Sequence, residues 1–171
     1  AELGSGSLDI SVLEKGFALM SIGFPVGTLR LKQFKSRIDA SLEETNEALQ
    51  EYIENQILYI KESIPKMKID DVILIDETYS RYLHKILPNR KRESDFFQFS
   101  QVEAEELLKR VTGCSIDEIA RQYELPAETA DTIDGYAMIT NMLFRLTRKK
   151  YFYILETSLT EAVLAHILFQ F

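Results

Sequence analysis

The sequence reads as an α/β domain, a mixed β-sheet flanked by helices, on three observations. Two alternating apolar runs open the chain and are joined by a turn. Short, fully apolar runs at residues 72–75 and 151–155 recur between stretches of helical periodicity. Several helical stretches also begin at recognisable start signals and end at prolines. Buried strands alternating with helices give a sheet covered by helices.

The elements follow in order. Leu8, Ile10 and Val12 alternate with Asp9 and Ser11, Lys15-Gly16 marks a turn, and residues 17–24 form an apolar run that stops at Pro25. That is a hairpin with a strongly buried second strand; residues 1–3 read as the tail of a further strand. Asp39 or Ser41 can cap the clearest helix, in which Leu42, Leu49, Ile53, Ile57 and Ile60 fall near helical spacing until Ile64-Pro65. Its other face (Glu43, Glu44, Glu47, Glu51, Glu54) reads as solvated. Residues 72–75 are a strand and 78–87 a helix ended by Pro88. Phe96, Phe97 and Phe99 stand before a helix that starts after Ser100, and Ser115 to Glu118 matches a capping box. Pro126 opens a long helix to about Leu146, with Gly135 as its weak point. Residues 151–155 are a strand, and the capping box Ser158 to Glu161 opens an apolar terminal helix through Phe169. The expected order is β-β-β-α-β-α, a helical insert over 89–125, then α-β-α, in a single domain spanning 1–171.

Composition narrows the chemistry. Of 171 residues 46% are hydrophobic and 27% charged, with one cysteine and two histidines. Cys114 alone excludes a disulfide framework and a cysteine-built metal cluster, and the distant His84 and His166 make a histidine metal site a poor fit. A net charge of -7 speaks against broad nucleic-acid or anionic-membrane binding. No apolar run reaches transmembrane length, so the expectation is a soluble cytoplasmic protein with no nucleic-acid or membrane partner. Lys85, Arg90, Lys91 and Arg92 could gather an anionic polymer, although a solvated loop is the plainer account.

The most informative stretch runs from Glu2 to Asp9, Glu-Leu-Gly-Ser-Gly-Ser-Leu-Asp. Gly4 and Gly6 let a backbone turn tightly and bring its N–H groups against a phosphate, and Ser5 and Ser7 add hydroxyls. Glu2 and Asp9 flank the loop, where carboxylates can hold Mg²⁺ or orient an attacking water. The same Gly-Ser-Gly-Ser also has the composition of a flexible linker.

With its continuation this stretch resembles the second half of the exopolyphosphatase and guanosine pentaphosphate phosphohydrolase (Ppx/GppA) family, whose fold is the actin-like, ribonuclease-H-like one. The family's phosphate loop, Asp-Ile-Gly-Gly-Gly-Ser-Thr-Glu, aligns with residues 2–9. Its Leu-Gly-x-Val-Arg-Leu-like segment is similar to residues 26–31, Val-Gly-Thr-Leu-Arg-Leu. Ala130, Asp131 and Gly135 look like its Arg-Ala-Asp…Gly helix, and residues 159–164 like its closing Leu-Arg-Glu-Gly-Val-Leu helix. The likeness spans nearly the whole chain, in the right order. It implies phosphate binding by Gly4, Ser5, Gly6, Ser7 and Thr78, catalysis by Asp9 and Glu2, and Mg²⁺ held by those two acids. It further implies an N-terminal lobe facing the cleft that this chain lacks, and a polyphosphate or guanosine phosphate ligand; homodimerisation stays open.

The departures bear on activity. The loop's acids have exchanged length, Glu2 for Asp and Asp9 for Glu, which shifts their reach by more than about 1 Å, a scale that matters for catalysis. Asp76 and Glu77 replace a glycine turn and are expected to repel a bound phosphate unless a metal intervenes. Thr129 and Thr160 stand where the family has arginines. Three readings follow: a lobe of a phosphoanhydride hydrolase that is inactive alone, a degenerate sensor that binds without cleaving, and an interaction scaffold that keeps only the fold.

Overall fold

The hairpin forms as its alternation dictates. In the computed structural model, which describes residues 1–15, 17–63, 69–90 and 95–157, strand β2 (Leu8–Glu14) pairs antiparallel with β3 (Phe17–Phe24). Leu8 and Ile10 face the core while Asp9 and Ser11 face out. A bulge between Val12 and Leu13 and a left-handed Lys15 (φ 51°) carry the chain round. Strand β1 (Glu2–Leu3) lies antiparallel to β2, with Glu2 opposite Asp9, and parallel to β4 (Ile73–Ile75). Strand β6 (Tyr151–Leu155) adds parallel to β4, and β5 (Phe96–Ser100) closes the far edge antiparallel to β6. Among the described residues the sheet is therefore mixed and six-stranded, ordered β3-β2-β1-β4-β6-β5.

Helices follow from apolar stripes and caps. Helix α1 (Thr28–Lys35) precedes α2 (Leu42–Ser63), whose Leu49, Ile53 and Ile60 are wholly buried. Of the two cap candidates Ser41 is used: its hydroxyl accepts from the Glu44 N–H while Glu44 accepts from the Ser41 N–H. A 3-10 turn at Ser80–Tyr82 runs into the short α3 (Leu83–Ile86). Helices α4 (Gln101–Val111) and α5 (Ile116–Tyr123) both begin at capping boxes, from Ser100 and Ser115. Helix α6 (Ala127–Ala130) leads to α7 (Ile133–Thr147), which is buried from Ile133 through Phe144 and so is the core helix. Phe144 stacks on Phe152 of the sheet with ring centres 3.7 Å apart. No helix among the described residues is long and apolar enough to cross a membrane.

Five expectations are corrected. The second hairpin strand, expected to be strongly buried, is buried only at Phe24, with Phe17 and Leu19 exposed, because β3 is the edge of the sheet. The stretch expected to be a helical insert opens with a strand: Phe97 and Phe99 are buried and alternate with exposed Phe96 and Gln98, a period of two. Residues 28–35 are helical although only Thr28 and Leu31 are buried, too few to leave a periodic signal. The helix expected over 78–87 shrinks to residues 80–86. The long helix after Pro126 breaks at Asp131-Thr132 and not at Gly135, since the Thr132 hydroxyl donates back to the Glu128 carbonyl (2.9 Å). Gly135 serves close packing instead: a Cβ there would lie 3.1 Å from Leu31 of α1. The stop at Ile64-Pro65, Gly16 and the terminal helix from Ser158 lie outside the described residues.

Candidate functional site

The site begins with the 4–7 loop between β1 and β2. The Gly4 N–H closes a turn on the Ser7 carbonyl (2.9 Å). The Gly4 carbonyl accepts from the Thr28 N–H (3.2 Å), and that of Ser5 accepts from Leu29 (3.0 Å) and Arg30 (3.2 Å). Arg30 Nε donates to the Gly6 carbonyl at 3.1 Å. The loop thus caps α1 and consumes donors that would otherwise be orphaned at its first turn. An anion therefore does not find those α1 donors vacant. What it finds are the N–H groups of Ser5, Gly6 and Ser7, which take no partner among the described residues.

Gly27 makes this contact possible. A Cβ there would sit 2.4 Å from the Ser5 carbonyl oxygen and 2.5 Å from Gly6 C, and both atoms belong to backbone. Gly23 plays the same part for Asp9, whose carboxylate occupies the space a Cβ would need (2.7 Å). The Ser7 hydroxyl donates to Asp9 at 2.7 Å.

Beside the loop opens a cleft of about 720 Å³. Glu2, Gly4 and Ser5 line one wall, Thr28 and Lys32 of α1 another, and Glu77 with Thr78 a third. Residues around α6, including Glu128, Thr129 and Asp131, complete it. Of the residues picked from sequence, Glu2, Gly4, Ser5 and Thr78 line the cleft together, whereas Gly6, Ser7 and Asp9 do not.

The expected pair of repelling carboxylates is not both on the cleft. Asp76 is 4% exposed and turned inward, accepting from the N–H groups of Thr78 (2.9 Å), Tyr79 (2.9 Å) and Ser80 (2.7 Å). Burial pushes its pKa up, against the three donors that favour its charged form. Only Glu77 faces the ligand space. Beneath lies the fully buried Tyr136, stacked on Tyr79, whose pKa burial also raises well above the usual phenol value. Its hydroxyl has no hydrogen-bond partner among the described residues. Tyr79 in turn donates to the Thr132 hydroxyl at 3.0 Å.

Lys32 is a cleft residue that the sequence does not single out, because α1 itself was not legible. Among the described residues it is the one lysine or arginine lining the cleft, and it is ion-paired with Asp131. Glu2, Glu77, Glu128 and Asp131 oppose it, so the lining is acidic overall. Of the basic run of the sequence, Lys85 and Arg90 do not line the cleft. Arg90 is buried against the Phe97 ring (4.4 Å) and pairs with Glu103, and Lys85 is tied to the Glu124 carbonyl (2.9 Å). Lys91 and Arg92 lie outside the described residues. No group of three or more His, Cys, Asp or Glu suited to a metal ion occurs among the described residues.

No protein-family model matches the chain, and no curated protein matches it in sequence. Solved structures do match. A Ppx/GppA family member of Aquifex aeolicus superposes with a TM-score of 0.81 at 13% identity, over 99% of this chain and 55% of its own. An exopolyphosphatase from Cytophaga hutchinsonii gives 0.80 at 17% identity, over 98% of this chain and 55% of its own. This chain has the fold of a Ppx/GppA lobe. The mixed sheet with flanking helices is thereby the actin-like ATPase fold. The chain spans about half the length of these Ppx/GppA structures, and at such identities the likeness is one of fold. Roles for residues in the cleft rest on its own geometry.

Proposed function

We propose that the chain is the second lobe of a phosphohydrolase acting on the terminal phosphoanhydride of polyphosphate or guanosine pentaphosphate. A facing lobe completes the cleft, and this chain alone does not turn over. The observation that carries the reading is the 4–7 loop: the carbonyls of Gly4, Ser5 and Gly6 are spent on α1, and Ser5, whose N–H is free among the described residues, lines a cleft of ligand size. Terminal phosphate oxygens accept from the Ser5 N–H and hydroxyl, with Thr78 opposite. Lys32 leaves Asp131 for the incoming anion. A water oxygen forms the new bond to the terminal phosphorus as the bridging P–O bond breaks, releasing orthophosphate. The group that takes the water's proton comes from the facing lobe, because half a cleft cannot place it.

A divalent cation fits this reading in one form. Mg²⁺ keeps several waters and takes one or two carboxylates plus substrate phosphates, and when bound it neutralises charge on the transferred group. Glu2 is the loop carboxylate that lines the cleft and would hold it; Asp9, engaged by Ser7, positions the loop. The acidic lining makes such a cation the natural companion of a polyanion.

A thermal-shift titration of the chain with polyphosphate and guanosine tetraphosphate, with and without Mg²⁺, tests the site. Ligand at 100 times its dissociation constant stabilises by about 2.7 kcal/mol. For a domain of this size that is a rise of roughly 5–10 °C. The rise should vanish in Gly27→Ala, whose methyl would displace the loop; its absence in the unaltered chain would refute the reading. A second reading, a sensor that binds without cleaving, is favoured by Asp9 lying off the cleft. Saturable binding without phosphate release by the two-lobed assembly would select it.

A further inference from the structure

A second cavity of about 710 Å³ lies on the helical side of the molecule, where α2 and α4 flank the middle of α7. Its lining shares no residue with the phosphate cleft. Met138 and Met142, one helical turn apart on α7, line it together with Leu108 of α4. Methionines give an adaptable apolar surface that accepts varied shapes.

Asn141 places a single polar group in this surface. It is 7% exposed, and its amide nitrogen donates to the carbonyls of Ala104 (2.7 Å) and Ala137 (2.9 Å). Two carbonyl partners use both hydrogens and fix which end of the amide is nitrogen. The carbonyl oxygen of the side chain is left without a partner among the described residues, in a residue that lines the cavity. The fully buried side-chain polar atom that lacks a partner among the described residues is the Tyr136 hydroxyl, so the Asn141 oxygen is still reached from the cavity, where a ligand donor can meet it.

The rim selects the sign of that donor. Glu43 and Glu47 of α2 and Glu105 of α4, which accepts from the Gln101 amide at 2.8 Å, line it with Lys109 and Arg145. Arg145 already has Glu54 within 3.9 Å, which offsets its charge. A cationic donor thus meets a favourable field, and an anion of the same shape does not.

We propose that this cavity is a binding site for a small organic ammonium ion with an apolar body. The ammonium donates to the Asn141 side-chain oxygen beneath the Glu47 and Glu105 carboxylates, and the apolar body lies on Met138 and Met142. The volume suits such a ligand, since pockets for small molecules span roughly 300–1,000 Å³. The proposal is independent of the phosphate reading.

Three probes of matched shape test it on the chain: 4-phenylbutylammonium, 4-phenylbutanol and 4-phenylbutyrate. Methyl resonances of Met138 and Met142 are followed by NMR, with Met20 of β3 as the distant control. The ammonium probe should move both cavity methyls saturably and leave Met20 still. Its dissociation constant should be at least about tenfold below that of the carboxylate probe, with the alcohol between. The double variant Glu47→Gln, Glu105→Gln should keep its melting temperature and weaken the ammonium probe about five- to tenfold without weakening the alcohol. No saturable shift at the solubility limit, carboxylate binding as tight as ammonium, or an unaltered ammonium affinity in the double variant would each overturn it.

Discussion

Gly27 shows how a single missing Cβ can decide a site. Its backbone is extended (φ -136°, ψ 161°), a conformation open to any residue, so alanine would suffer only from space. The methyl would meet the Ser5 carbonyl at 2.4 Å, a contact that must push the loop off α1. Gly27→Ala should cost about 1–3 kcal/mol, as overpacking does, and abolish the phosphate-induced thermal shift. A melting curve with and without polyphosphate reads both effects. Lys32 and Asp131 make a matched pair of opposite predictions. Lys32→Met should weaken metal-free polyphosphate binding about fivefold or more. Asp131→Asn should strengthen it by a comparable factor, because an internal carboxylate no longer competes for the ammonium group. Titration calorimetry without divalent cation distinguishes them; equal effects of the two would refute the competition. The turn at residues 4–7 was legible because glycines let the backbone turn tightly there. Lys32 was not, since a lone lysine has meaning only once α1 brings it beside Asp131.

At the scale of elements, the capping signal at Ser115 is matched by the structure. The Ser115–Glu118 box was read from four letters and forms with both of its hydrogen bonds, at 3.3 and 2.8 Å. Ser115→Ala should lower stability by about 1 kcal/mol in urea unfolding. The Glu44 and Glu118 carboxylates, hydrogen-bonded to Ser41 and Ser115, are held below the usual glutamate value of 4.5. Their contribution is complete above pH 4.5, where the unfolded carboxylates are also ionised, and is lost as pH falls through the lower folded-state pKa values. Glu118→Gln should therefore be less stable than the parent at pH 7, with the difference shrinking as acid is added. Urea midpoints at several pH values check it; a constant difference would contradict the assignment. Elements set by distant partners escaped. Residues 78–80 had the composition of a helix start, but Asp76 gathers their N–H groups into a turn. Phe96, Phe97 and Phe99 became strand β5 because β6 offers an edge for pairing.

For the whole molecule the sign of the charge governs how a polyanion arrives. The chain carries -7, and the cleft lining is acidic as well. Raising salt from about 0.01 to about 0.15 M shortens the Debye length from roughly 30 to roughly 8 Å. Long-range repulsion is screened first, so the association rate of polyphosphate should rise over that range, opposite to the behaviour of a basic phosphate-binding protein. Stopped-flow measurement of the rate against salt decides it; a falling rate would point to a positive surface governing the encounter.

The chain's own letters carried the α/β class, the opening meander, the caps and the loop at residues 4–7. These depend on alternation, capping spacings and glycine, whose physics reaches only a few residues along the chain. Strand order, the edge strand β5 and the inward turn of Asp76 needed the folded molecule. So did the Lys32–Asp131 pair, which joins residues 99 positions apart, a span across which adjacency is set by packing alone.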